Sequence, residues 1–332
     1  MIIDIMCNKI MRAACAAVYV LTAAVGCQKN VTDDPVCVEK VKLQVSVPFV
    51  QSKTVTEVDD ATVLDYQALL FNEDGILEDF VHETIDDIVL ECTIGKKTVV
   101  VLVNAPVYSD ISTFQELKNK MSYLTDNWLG EFVMEGMTAV EVSSAPLTKV
   151  EIPVYRKVAK VELQSLNVRF NMPQYMSMPF TVSSVYLINV PAAAPYFSTS
   201  ESPLWFNKSG YVEEDDNTLI YDDMGDVRVS DLLLYKSKNV FYCYPNNSTM
   251  DSFSPTWSPR HTRLVVEAKL GDRRYYYPVT LPTLESNKKY SVSLTITRPG
   301  SDTPDSVVDK NDGVFSIEVQ DWDDGGLVDT EI

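Results

Sequence analysis

Val41-Lys42-Leu43-Gln44-Val45-Ser46-Val47-Pro48-Phe49 places an apolar side chain at every odd position and a polar residue or proline between them. Successive side chains of an extended chain point to opposite faces, so this period of two describes a strand with one buried and one wet face. Proline lacks the ladder N–H, and Pro48 therefore predicts that the strand lies at a sheet edge. Similar runs follow at 63–71, 88–94, 97–103, 151–168, 182–190, 239–244, 262–270, 275–281, 289–298 and 314–322. Turn residues punctuate them at Asn72-Glu73-Asp74-Gly75, Gly95-Lys96-Lys97, Pro245-Asn246-Asn247, Gly271-Asp272 and Pro299-Gly300. Many short strands separated by regular turns predict antiparallel β-sandwiches.

Helical signals are few. Ser112/Thr113 with Glu116 forms a capping box ahead of apolar residues at Phe114, Leu117 and Met121, which predicts one short helix over 113–121. A further turn or two is expected at 229–235. Ser143-Ser144-Ala145-Pro146 reads as a linker, so the chain is divided into a signal segment, 1–26, and two tandem sandwich domains, 27–148 and 149–332.

Residues 1–26 carry Lys9 and Arg12, an apolar run from Ala13 to Val25, and small residues up to Gly26-Cys27. This is the layout of a secretory signal, too short to span a bilayer. Small residues ending in Gly-Cys resemble a bacterial lipobox, in which the cysteine is acylated and becomes the new N-terminus. Lipidation is expected at Cys27, and Gln28 at the next position fits retention in an outer membrane.

The formal charge is −19, and removal of residues 1–26, with one Asp, one Lys and one Arg, takes it to −20. Such acidity excludes nucleic acid as a partner and leaves neutral surfaces, sugars or further copies of the chain. Thr54–Gly95 holds twelve acids and no Lys or Arg. These residues lack the spacing of a Ca²⁺ loop and read as a solvated acidic face. With Cys27 acylated, Cys37, Cys92 and Cys243 remain past the signal, too few for a disulfide framework; Cys92 and Cys243 read as buried thiols in strands.

Two histidines, His82 and His261, lie far apart, with no local zinc, triad or phosphate-loop signature around them. Asp222-Asp223-Met224-Gly225-Asp226 and Asp321-Trp322-Asp323-Asp324-Gly325-Gly326 read as exposed acidic turns before they read as cation sites. Tyr275-Tyr276-Tyr277 splits across two strand faces and forms no continuous sugar platform. No catalytic residue, cofactor or metal site is expected.

Several segments, in order, resemble the fimbrillin superfamily, the lipoprotein pilins of Bacteroidales type V fimbriae. They are Phe71-Asn72-Glu73-Asp74-Gly75, Gly95 to Pro106, Phe132 to Gly136, and Arg156-Lys157-Val158-Ala159-Lys160-Val161 at the start of the second domain. Val185 to Val190, Phe241 to Asn246, Tyr275 to Pro278, Tyr290 to Gly300 and the closing Val319-Gln320-Asp321-Trp322 complete the series. The resemblance implies two transthyretin-like sandwiches and a shaft subunit of a cell-surface fimbria that contributes to adhesion. It further implies export as an outer-membrane lipoprotein, proteolytic removal of a first strand, and filling of the groove by a strand of another fimbrial subunit.

On the residues, the candidate removable strand is Val41, Leu43, Val45, Val47 and Phe49, and the candidate donor strand is Phe315, Ile317 and Val319, the alternative being that 314–322 is simply the last strand of its own second domain. In the oral relatives the cut follows an arginine, yet no Arg stands between Arg12 and Arg156 here. Lys53 is the nearest basic substitute as a processing site. An uncut anchor or tip subunit, a stand-alone glycan-binding surface lipoprotein, and a glycosidase accessory or hydrolase domain are the competing readings, and a host or bacterial surface glycan or protein is a further expected partner.

Overall fold

A computed structural model describes residues 40–48, 60, 62–85, 87–210, 219–230, 235, 239–250, 256–306 and 313–322. The first half of this chain contains β1 (Val41–Ser46), β2 (Tyr66–Asn72), β3 (Leu77–Glu83), β4 (Asp87–Cys92) and β5 (Gly95–Val103), then α1 (Phe114–Asn119). β6 (Met121–Tyr123), β7 (Met134–Val142), β8 (Leu147–Glu151) and β9 (Tyr155–Arg156) complete it. β1 lies between β4 and β8, and this sheet packs on a second one ordered β3-β2-β5-β7-β9. Leu43, Val45 and Leu90 of one sheet meet Leu70, Val101 and Met134 of the other. The β2 segment is buried on both faces, because its sheet is covered on the far side by a layer that includes Tyr108, Leu117 and Tyr196. Its one buried polar side chain, Gln67, is satisfied by the Ala105 carbonyl at 2.8 Å and the Tyr108 N–H at 2.9 Å.

The second half runs through β10 (Ala159–Val168), α2 (Pro173–Met176), β11 (Phe180–Ile188), β12 (Val190–Pro191), β13 (Ala193–Pro195) and β14 (Trp205–Phe206). It continues with β15 (Tyr221–Val229), β16 (Asn239–Cys243), β17 (Arg263–Leu270), β18 (Arg273–Thr280), β19 (Lys288–Ile296) and β20 (Gly313–Asp321). Sheets ordered β16-β10-β19-β20 and β15-β11-β17-β18 enclose the larger core. The architecture is therefore all-β, in two sandwich halves with short helices. Each half also contains one parallel pair, β1 with β8 and β10 with β19, within otherwise antiparallel sheets.

Local chemistry explains the elements read from sequence. Thr113 caps α1 through the Glu116 N–H at 3.2 Å, and the Glu116 carboxylate returns to the Thr113 N–H. Gly75 at φ 76° closes the β2–β3 turn, and Gly271 at φ 62° closes the two-residue turn between β17 and β18. Tyr275 and Tyr277 enter the core while Tyr276 stands on the opposite face.

Several expectations change. Pro48 does not mark an edge: β1 ends at Ser46, Pro48 falls beyond it, and β1 is the central strand of its sheet. The strands at 77–83, 134–142, 147–151 and 221–229 lie outside the period-two runs; three of them, β3, β8 and β15, are edge strands, where one-sided pairing weakens the alternation. Asp222–Asp226 forms no exposed turn; it sits within β15, where Gly225 and Asp226 take positive φ at a bulge against β11. Residues 143–146 join β7 to β8, two strands of the first half, and the backbone passes to the second half between β9 and β10. Of the turn expected at 229–235, Val229 closes β15 and residues 231–234 lie outside the described residues. The insertion after β11 joins the halves, because β13 pairs with β6. Among the described residues, no helix is long and apolar enough to cross a membrane.

Candidate functional site

The alternation at 41–47 buries Val41, Leu43, Val45 and Val47 at 7, 0, 0 and 3% exposure, leaving Lys42, Gln44 and Ser46 on the outer face. The β1 main chain is engaged on both sides. Val41 to Ser46 pair antiparallel with Cys92 to Asp87, and Lys42 to Ser46 pair parallel with Leu147 to Glu151. Gln44 adds a side-chain bond to Asp87 at 2.6 Å. Without residues 41–47, the core would lose four apolar side chains and the inner edges of β4 and β8 would lose their partners.

At the other end of the chain, β20 pairs antiparallel with β19, from Ile296 opposite Gly313 to Lys288 opposite Asp321. It is an edge strand. Its apolar row is only partly covered: Phe315 is 42% and Val319 50% exposed, while Ile317 packs at the margin of the core. Trp322, directly after the strand, is buried.

Between the halves lies a polar cluster. Asp60 forms a buried ion pair with Lys160 and accepts from the Tyr242 hydroxyl at 2.9 Å, while its carbonyl accepts from Arg156 Nε at 2.9 Å. Burial and the neighbouring Asp60 charge push the Tyr242 phenol far above its usual pKa, which keeps it protonated as a donor. The Trp322 ring lies 4.5 Å from the Arg156 guanidinium and 5.3 Å from the Lys160 ammonium. Lys157 points to Glu135 at 2.9 Å and to the Pro195 carbonyl at 3.0 Å, and burial lowers its pKa against the pull of Glu135. Buried lysines and arginines are uncommon and are found paired. Three of them within Arg156–Lys160 were the available sign that this stretch is internal; the partners, Asp60 and Trp322, are too remote in sequence for that sign to name.

The acidic face departs from expectation at the same place. Asp60 is buried, and Glu78 holds the buried Lys97 at 2.8 Å. Cys92 and Cys243 are free buried thiols, and burial pushes Cys243 up to about 12. Asp222 and Asp226 are taken up by Asn239 and by Lys269 with Ser183. No group of three or more metal-ligating side chains gathers among the described residues. Cys27, Cys37, Phe49 and Lys53 lie outside the described residues.

No protein-family model and no curated protein sequence matches the chain. Solved structures do. A candidate cell adhesion protein from Parabacteroides distasonis superposes with a TM-score of 0.65 at 16% identity, covering 85% of this chain and 97% of that one. A candidate cell adhesion protein from Bacteroides eggerthii gives 0.60 at 18% identity over 86% and 96% of the two chains. A fimbrilin from Porphyromonas gingivalis gives 0.59 at 17% identity over 86% and 98%. At these identities the likeness is one of fold, and the chain has the fold shared by this fimbrilin and these candidate adhesion proteins.

Proposed function

We propose that the chain is a non-enzymatic structural subunit of a cell-surface fimbria, of the shaft, assembled by strand exchange and contributing to adhesion. The observation that carries this reading is the position of β1. It is the first described strand, it is central to its sheet, and it contributes a row of buried side chains to a core shared by two sheets. With Val47 just beyond it, four buried side chains at roughly 1.5–3 kcal/mol each place on the order of 10 kcal/mol of gross burial in residues 41–47. A chain cut near Lys53 and stripped of β1 would hold a groove between β4 and β8. An extended strand from another subunit would fill it by main-chain pairing and by side chains on alternate positions. The partly uncovered row of Phe315, Ile317 and Val319 on β20 supports that strand as the donor. The likeness in fold to a fimbrilin supports the same assignment. Export as a lipoprotein, acylated on Cys27 and held in an outer membrane until trimming, completes the scheme.

Purified precursor cleaved after Lys53 should polymerise into fibres visible by negative-stain microscopy, while uncut precursor remains monomeric. Replacing both Phe315→Asp and Val319→Asp should abolish fibres without loss of the monomer, since both positions are already half exposed. Trimmed wild-type chain that stays monomeric overturns the assignment. Fibres from the doubly substituted chain overturn β20 as donor. The lack of any arginine between Arg12 and Arg156 favours one other reading, an uncut subunit that anchors the fibre. In that case the precursor would remain full length on cells that carry fibres.

A further inference from the structure

We propose that Trp322 is a latch: a socket shared with Asp60 holds β20 on its own subunit, so that the segment entering β2 controls release of the last strand. The burial along β20 is uneven. Val314, Phe315 and Val319 are exposed, and the strand bonds to β19 along one side. One residue later the chain is buried, with Trp322 at 5% exposure. Its ring stacks on Tyr242 at 5.6 Å and meets Phe132 edge-on at 5.6 Å. Arg156 and Lys160 approach the ring as cations, and the Trp322 backbone N–H donates to the Asn287 carbonyl at 3.0 Å. Aromatic pairs and desolvated cation–π contacts are among the stronger side-chain interactions available to a strand end. β20 is thus a lightly held edge with a single deep anchor.

The socket belongs equally to Asp60. Arg156, Lys160 and Tyr242 each bond to Asp60 and each touch Trp322. Moving Asp60 removes the carboxylate that positions the Lys160 ammonium and the Tyr242 ring beneath the indole. By linkage, loosening either end loosens the other. Asp60 follows Lys53 closely in sequence, so a cut there severs the socket's tether to β1 and leaves Asp60 close behind a new chain end. The biological purpose of the latch rests on β20 being a donor, but the latch itself is a property of the single uncut chain.

Hydrogen–deuterium exchange on the full uncut chain tests it. Trp322→Ala should speed exchange of the amides in 313–321 by about tenfold or more while β4 and β5 keep wild-type protection. Trp322→Phe, which keeps a ring in the socket, should give a smaller rise. Asp60→Asn, which removes the carboxylate charge that holds Lys160 and Tyr242 while keeping the backbone bond to Arg156, should speed β20 exchange as well. Wild-type protection of β20 in Asp60→Asn refutes the coupling. Wild-type protection in Trp322→Ala refutes the anchor, and if that variant does not fold, Trp322→Phe decides the anchor by the same measurement. Asp60→Asn protein with a freed β20 that still forms no fibres after trimming leaves the latch standing and overturns the assembly reading instead.

Discussion

The two halves of the chain are one topology built twice. β1 lies between an antiparallel β4 and a parallel β8; β10 lies between an antiparallel β16 and a parallel β19. Even the register repeats. Val41 faces Cys92 as Ala159 faces Cys243, and Lys42 faces Leu147 as Lys160 faces Lys289. The opposing sheets, β3-β2-β5-β7 and β15-β11-β17-β18, follow the same order. The differences lie at the margins. The outer edge of β19 carries β20, whereas among the described residues no strand pairs with the outer edge of β8. The connection after β10 is tacked down, with Arg169 and Asn171 N–H groups bonded to Ile296 and Thr297 carbonyls. β10 is thus held by core, ladder and connection, and among the described residues β1 is held by core and ladder.

The cysteines at matched positions offer a direct reading of that contrast. Cleavage after Lys53 with loss of β1 should raise the rate of Cys92 labelling by a thiol reagent by about a hundredfold or more, leaving Cys243 protected. Equal exposure of both thiols would mean that the halves open as one unit. Leu43→Ala in β1 and Leu163→Ala in β10 each truncate a fully buried side chain. Each should lower stability by about 2–5 kcal/mol in urea unfolding, with lost amide protection confined to its own half. Protection lost across both halves in either variant would show that the β6–β13 pairing and the Asp60 cluster make the pair of sandwiches a single cooperative unit.

Smaller effects sharpen the comparison. Gly75→Ala in the first half and Gly271→Ala in the second place a Cβ at φ 76° and 62° without a close contact. Each should cost about 1–2 kcal/mol in urea unfolding from left-handed strain alone. A larger loss at Gly75 would assign extra weight to the α1 cap, because the Phe114 N–H bonds to its carbonyl at 2.9 Å. The smallest expected effect is acid sensitivity of the first half. Burial would raise the Glu78 pKa, but bonds from Lys97 and Thr93 outweigh it and lower the value. A carboxylate lowered by folding adds stability that is full above its unfolded value and is lost as pH falls through the lowered folded value. Glu78→Gln should therefore flatten the acid limb of the stability profile below the usual glutamate range, measured by amide protection in β3 and β5. An unchanged acid limb would remove Glu78 from that role.

What sequence alone determined was local. The alternation at 41–47, the Thr113–Glu116 box and the turns at Gly75 and Gly271 each depend on neighbours a few residues apart, where side-chain period and allowed φ leave little choice. The buried row of β1 and the split of Tyr275-Tyr276-Tyr277 were legible for that reason. Tertiary structure decided the rest. Pro48 falls outside the strand it was read into, β1 is central, and β8 sits parallel beside it across most of the first half. The duplicated register leaves no repeat in the residues, because strand pairing is set by main-chain geometry and core volume that many sequences satisfy. The junction was hidden for a different reason. Asp60 and Lys160 are 100 residues apart, and Trp322 packs on Lys160 from much later in the chain. No local pattern encodes a charge pair whose burial is decided only when two sandwiches meet.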